Sequence, residues 1–214
     1  MTSKDIEALL SPQMQKALEQ IKELLRKTED KTLEFQKCSG LHCKKGCGAC
    51  CVGPHVSTTV IEMMPLAIEI FANGQEDEFL VKVAGDTVQG QCIFYKPDPH
   101  IPGNGRCGIY AHRPGVCRLF GFSSSTDKRG KNVLSTCKVI KESFPQDYAH
   151  AQELIEDGLA SPSMSGYTFT ISSIDPLKGA ELYPINYAIK EALEYVGLIL
   201  KHSCARKGKE HVEH

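Results

Sequence analysis

Ten cysteines stand among 214 residues, and eight of them fall in two blocks: Cys43-x3-Cys47-x2-Cys50-Cys51, then Cys92, Cys107, Cys117 and Cys137. No other feature limits the fold as much. Glycines at 40, 46, 48 and 53 interrupt the first block, and arginines flank the second. Segments of this kind have little apolar surface to bury, so their order must come from what their thiols bind. Free cysteine is also a small interior hydrophobe, and a disulfide framework would use a similar count. Neither accounts for thiols concentrated in polar, glycine-rich loops.

The choice between metal and disulfide turns on compartment. Residues 1–10 carry Lys4, Asp5 and Glu7 where a signal peptide needs an apolar run, and no uninterrupted apolar stretch reaches the roughly 18–20 residues of a membrane span. A cytoplasmic protein with reduced thiols and no membrane partner is expected. Lys plus Arg number 25 against 26 for Asp plus Glu, which gives no global basic footprint for nucleic acid. Lys44, Lys45, Arg106, Arg113 and Arg118 lie beside the cysteines, where thiolate charge explains them.

Length fits one domain, expected over residues 1–204, with a cysteine cluster at 38–139, helical packing segments at 4–31 and 145–203, and a disordered tail at 205–214. Ser11-Pro12 offers an N-cap and a first-position proline, after which Met14, Leu18, Ile21 and Leu25 recur at helical spacing. From Leu33 the periodicity is lost. Thr59-x-x-Glu62 reads as a capping box opening a helix to about Ala72, with another helix between Gln75 and Val88. Residues 91–95 and 106–110 read as a hairpin that brings Cys92 and Cys107 together, and 132–140 as a third strand carrying Cys137. Helices are expected at 146–158 and 184–201, with Tyr167, Phe169 and Ile171 alternating as a strand between them. The fold class is therefore α+β and helix-rich: an irregular cysteine-rich, metal-bound core with short antiparallel strands, flanked by N- and C-terminal helices.

Cys47-x2-Cys50 has the knuckle spacing of structural zinc sites, and Cys43 lies one turn earlier. Consecutive side chains in an extended segment diverge, so Cys50 and Cys51 are suited to serve two neighbouring centres. Eight thiols suffice for up to two four-coordinate centres, of zinc or of iron–sulfur type, and spacing alone leaves both the metal and the partition open. Cys38 and Cys204 remain over. A tetrathiolate centre carries net negative charge, which the guanidinium groups of Arg113 and Arg118 would offset from just outside the ligand shell. Arg113-Pro114 reads as the turn that positions Cys117, while Tyr95 and Tyr110 read as strand-packing residues. Histidines 42, 55, 100 and 112 lie near the blocks without entering the expected ligand set. His202, Cys204, His211 and His214 read as a charged tail.

Cys43-Lys-Lys-Gly-Cys47-Gly-Ala-Cys50-Cys51, the separate Cys92-Ile-Phe-Tyr, and Cys107-Gly-Ile-Tyr-Ala-His-Arg113-Pro114-Gly-Val-Cys117-Arg118-Leu-Phe resemble the YkgJ-type cysteine-cluster family. Its members are described as zinc- or iron-chelating, or iron–sulfur cluster, proteins. The resemblance spans about Cys43 to Cys137 and implies that the eight cysteines are cluster ligands. Flagellin lysine-N-methylase shares the signature, which raises a cluster-dependent protein modification enzyme as an alternative. No glycine-rich cofactor loop accompanies it here, and catalytic residues are not identifiable. Cys43-x3-Cys47-x2-Cys50 also matches the radical S-adenosylmethionine spacing, but Ala49 replaces the usual aromatic and no βα repeat follows. The expected function is metal binding, with an iron–sulfur cluster, of the 4Fe–4S kind, preferred over zinc. An interaction protein with purely structural zinc is the other alternative, its partner not identifiable from sequence.

Overall fold

A computed structural model describes residues 1–53, 56–85 and 91–210, with side chains through Ser203. Helix α1 (Ser3–Glu7) opens on a capping box between Thr2 and Asp5. Helix α2 (Pro12–Ser39) starts where Ser11 Oγ accepts the Met14 N–H at 3.3 Å, with Pro12 at the first helical position. It continues well past the point where the apolar periodicity fades. Beyond Leu25 the buried face is carried by Thr28, Thr32, Phe35 and Ser39, still at intervals of three and four. The three hydroxyls donate to carbonyls four residues back, at 2.7 to 2.8 Å, so polar residues occupy an inward stripe without unmet hydrogen bonds. Gly40, at φ 72°, closes the helix in the left-handed conformation.

The first cysteine block follows as irregular chain with one short helix, α3 (Ala49–Val52), and leads into strand β1 (Ser57–Thr58). Helix α4 (Val60–Ala72) opens on the expected Thr59/Glu62 capping box. Helix α5 (Glu76–Ala84) occupies the next expected position and is capped by Gly85; residues 86–88, the end of the expected span, lie outside the described residues. Strands β2 (Tyr95–Pro97) and β3 (Gly105–Cys107) form the expected hairpin in a shifted register, with Tyr95 opposite Cys107. Cys92 sits before the strand, in a turn closed by the Tyr95 N–H on the Cys92 carbonyl at 2.9 Å. After Cys107 the chain makes a 3-10 turn at Tyr110–His112.

Helix α6 (Gly115–Leu119) carries Cys117. Strands β4 (Ser123–Thr126) and β5 (Asn132–Ser135) pair antiparallel. The expected strand over 132–140 stops at Ser135, because Cys137 is the N-cap of helix α7 (Lys138–Ser143) and its Sγ accepts the Ile140 N–H at 3.4 Å. Helix α8 (Pro145–Glu156) follows directly. The alternation of Tyr167, Phe169 and Ile171 is helix, not strand: α9 (Met164–Ile174) is capped by Ser163, buries Tyr167 and Ile171 one turn apart, and leaves Phe169 75 % exposed. Strand β6 (Tyr183–Pro184) pairs with β1, and α10 (Ile185–Glu210) ends the described chain. His55, residues 211–214 and the side chains from Cys204 onward lie outside the described residues; of the expected tail at 205–214, residues 205–210 instead continue helix α10.

Packing centres on α4 against α10. Ile61, Met63, Met64, Ala67 and Ile68 meet Ala188, Ile189, Ala192, Leu193 and Val196, all nearly or wholly excluded from solvent. Helices α1, α2 and α5 also pack on α4, which is why it reads as apolar on almost every side. A second, smaller core gathers Phe35, Leu41, Phe122, Leu134, Ile140, Ala151 and Ile155 beneath α7 and α8. The cysteine segments lie between these two cores.

Candidate metal centre

Backbone hydrogen bonds draw the two cysteine blocks together before any side chain is considered. The Gly105 N–H donates to the Gly46 carbonyl and the Cys92 N–H to the Cys51 carbonyl, both at 2.9 Å. A bridge between Cys47 and Asn104 lies beside them. The Tyr95 ring packs against Gly48 and Gly105, where a Cβ on either glycine would collide with it. Tyr95 thus packs as expected and sets how close the hairpin comes to the first block. Asn186 of α10 clamps the Cys92 turn, accepting the Ile93 N–H at 3.0 Å and donating to the Gln91 carbonyl at 2.7 Å.

Cys117 is positioned by a buried carboxylate that its neighbouring motif does not announce. Glu62, 3 % exposed, accepts the Thr58 and Thr59 hydroxyls and the Thr59 N–H on one oxygen. Its other oxygen accepts the Gly115 N–H at 2.8 Å and the Tyr167 hydroxyl at 2.6 Å. One side chain therefore ties α4, α6 and α9 to the strand β1. Gly115 is required where it stands, because a Cβ there would run into the Tyr167 ring. Arg113 and Pro114 make the expected extended turn, and α6 begins at once, with the Cys117 N–H on the Pro114 carbonyl at 3.0 Å.

The thiols form one continuous neighbourhood, with Cys50 beside both Cys51 and the thiols that line the cavity with it. Cys43, exposed at the surface, has its thiol pushed up to about 11 by the protein packed around the sulfur and then by Cys137, Cys50 and Cys47. Cys117 is raised by burial and then by Cys50, Cys92 and Cys107. Cys51, buried, has its sulfur 4.0 Å from that of Cys50 and also lies beside Cys107, and its single thiol proton serves one of these neighbours at a time. Sharing with Cys50 holds that thiol at about 6, sharing with Cys107 holds that one at about 7, and in either case Cys51 itself is raised. Cys38 lies apart, exposed, on the last turn of α2. Among the described residues no three Cys, His, Asp or Glu side chains already stand at metal-coordinating distance from a common point.

Between α2, the first cysteine block and α6–α7 lies a cavity of about 300 Å3. Cys43, Cys47, Cys50, Cys117 and Cys137 line it, with Tyr110 and Arg113 at its side. The two arginines expected near the thiols differ in what they do. Arg118 spends its donors on the Arg113 and Ala111 carbonyls, each at 2.7 Å, and on Glu29 at 2.8 Å. It braces the turn. Arg113 stacks on the Tyr110 ring at 3.6 Å and meets Glu29 at 3.3 Å, while its Nε is buried with no hydrogen-bond partner among the described residues. Its charge favours the thiolate form of Cys43, Cys50, Cys107 and Cys117. Tyr110 is thus an exposed platform for Arg113, not the strand-packing residue its sequence suggests. His42 bonds the Gly40 carbonyl and packs on Phe144, and His112 pairs with Glu69 at 3.2 Å.

Glu29 and Glu62 are the site residues that sequence reading missed. The capping-box motif reveals Glu62 as a helix start but not its second oxygen, and Glu29 is one of several acids along α2.

This chemistry fits a thiolate-bound metal: soft donors gathered around one cavity, a guanidinium beside them whose buried Nε has no hydrogen-bond partner among the described residues, and few competing oxygen ligands. The comparison with family models agrees. Residues 42–138 match the family described as "CxxCxxCC: Putative zinc- or iron-chelating domain". No curated protein matches the chain, and no solved structure does. No helix among the described residues is long and apolar enough to cross a membrane.

Proposed function

We propose that this protein binds iron–sulfur, in up to two centres of four thiolates each, through ligands drawn from Cys43, Cys47, Cys50, Cys51, Cys92, Cys107, Cys117 and Cys137, since residues 42–138 match the family described as a zinc- or iron-chelating domain. The observation that carries the preference over zinc is the cavity of about 300 Å3 lined by five of these thiols. Four thiolates at about 2.3 Å around a single zinc ion enclose far less space than that. A polynuclear cluster would bring inorganic sulfur as well as metal, an acceptor suited to a donor such as the buried Arg113 Nε.

The residues divide the remaining work. Arg113 supplies a positive charge against the thiolates, held in place by Tyr110 and Glu29. Arg118 and Glu62 hold the turn and the helix that present Cys117. A cluster bound here supplies one-electron chemistry when loaded; the protein sets its surroundings through charge, donor placement and exposure.

Iron, zinc and acid-labile sulfide per chain, measured on protein purified anaerobically without a metal-binding tag, test the proposal. Iron and sulfide in matching amounts are expected. Zinc without sulfide would replace the cluster with a structural or metal-handling site, and neither metal would overturn the reading.

A further inference from the structure

We infer that the mouth of the thiol-lined cavity is the docking surface for an acidic partner protein, built from an exposed aromatic patch of Tyr110 and Phe120 and the cations of Lys44, Lys45 and Lys138. The inference rests on the proposed metal centre for what the partner comes to reach, and on the surface alone for where it sits.

Tyr110 and Phe120 both line the cavity, yet they are 63 % and 46 % exposed. The turn holds Phe120 outward: Leu119 before it and Phe122 after it are buried, and the chain reverses at Gly121, whose φ is 92°. Tyr110 keeps that exposure even with Arg113 stacked on its ring at 3.6 Å. Ala49, which lines the cavity, and Val52, one turn further along α3, are exposed as well. Single exposed apolar side chains need no explanation. Several around one opening mark a contact site, and aromatic side chains with arginine are the residues enriched where proteins meet.

The charge around this patch has one sign. Residues 40–58 and 99–126 contain no Asp or Glu. Lys44 and Lys45 are exposed between the cavity-lining Cys43 and Cys47, and neither makes an ion pair among the described residues. Lys138 lines the opening and meets Glu142 at 3.5 Å, in a pair so exposed that it holds little. Glu29, the carboxylate among the described lining residues, is already bonded to Arg113 and Arg118. Arg113, itself in the cavity wall, is the cation nearest to hand for the thiolates, which leaves the lysines at the rim for something outside. An apolar centre ringed by cations fits an acidic protein surface by complementarity. Nucleic acid fits less well, because the chain has a net charge of −1 and these cations form a short rim, not a stripe that tracks phosphates.

The test titrates the full chain, purified anaerobically, with a labelled glutamate-rich peptide interspersed with leucine, and separately with an oligonucleotide of equal charge. Metal per chain is measured on every sample. The peptide should bind the more tightly of the two, and less tightly as salt rises. Lys44→Glu combined with Lys45→Glu should weaken it about tenfold or more, and Phe120→Ala about fivefold. Lys27→Glu combined with Lys31→Glu, which reverses two lysines of α2 that lie beside α9, should change it little. No binding of the peptide, tighter binding of the oligonucleotide, equal losses from the two pairs of reversals, or no effect of Phe120→Ala overturns the docking surface. Those results with metal still bound leave the metal reading standing. A chain that holds no metal but binds the peptide through Lys44, Lys45 and Phe120 sinks the metal reading and keeps the surface.

Discussion

The α4–α10 pair and the first cysteine block lie side by side but are held by different forces. Ile61, Met64, Ile68, Ile189, Leu193 and Val196 are buried almost completely, and each contributes on the order of 1.5–3 kcal/mol by leaving water. Between residues 42 and 53 only Gly48 and Cys51 are buried. Apolar burial builds the frame, and coordination has to finish what lies between its parts. Glu62 is where the two meet, rooted in α4 and bonded to the N-terminus of the Cys117 helix.

Removing the metal gives the largest expected effect. Structural zinc in small peptides contributes on the order of 10–16 kcal/mol, comparable to or above the roughly 5–15 kcal/mol stability of a whole domain. After chelation, amide hydrogen exchange should rise sharply through residues 42–53 and 91–119 while α4 and α10 stay protected. Unchanged protection in the cysteine segments would break the comparison, because packing alone would then be holding them.

Glu62→Ala comes next. Five donors lose their acceptor in a buried site, at a cost of about 3–5 kcal/mol, and Cys117 loses its positioning. Thermal stability and metal per folded chain should fall together. Ile189→Ala, which opens a cavity between α10 and α4, should cost about 2–5 kcal/mol and leave metal per folded chain unchanged. If Ile189→Ala also sheds metal, frame and site are one cooperative unit and the distinction fails.

The same division governs what could be read before the structure. The Thr59/Glu62 capping box marked α4, and Ser11-Pro12 with the apolar spacing behind it marked the start of α2, because both are facts of the frame. The last turns of α2 escaped, since Thr28, Thr32 and Ser39 fill its inner face while satisfying their own hydroxyls. Tyr167, Phe169 and Ile171 show period two and period four equally over so short a run, and the Ser163 cap decides for helix. In the site, spacing identified the cysteine blocks and the family model meets them at residues 42–138. It could not distinguish Arg113 from Arg118, five residues apart, because their roles depend on which carbonyls and rings the turn puts within reach.

The smallest effect separates exposure from charge within the site itself. In metal-free protein near pH 7, the hydrogen bond from Cys51, aided by Arg113, keeps Cys50 at about 6, so its thiolate prevails where an ordinary thiol is mostly protonated. Cys43 is more exposed, yet burial of its sulfur and the surrounding thiols hold it near 11. Since the thiolate is the nucleophile, iodoacetamide should label Cys50 well before Cys43 in a peptide-resolved time course. A lowered acid pKa keeps the reactive form above that value, so Cys50 labelling should decline as pH drops through about 6 while Cys43 stays slow throughout. Arg113→Ala should slow Cys50 by removing the cation without emptying the cavity. If Cys43 labels first, accessibility outranks charge, and the accessible half of the site is looser than its hydrogen bonds imply.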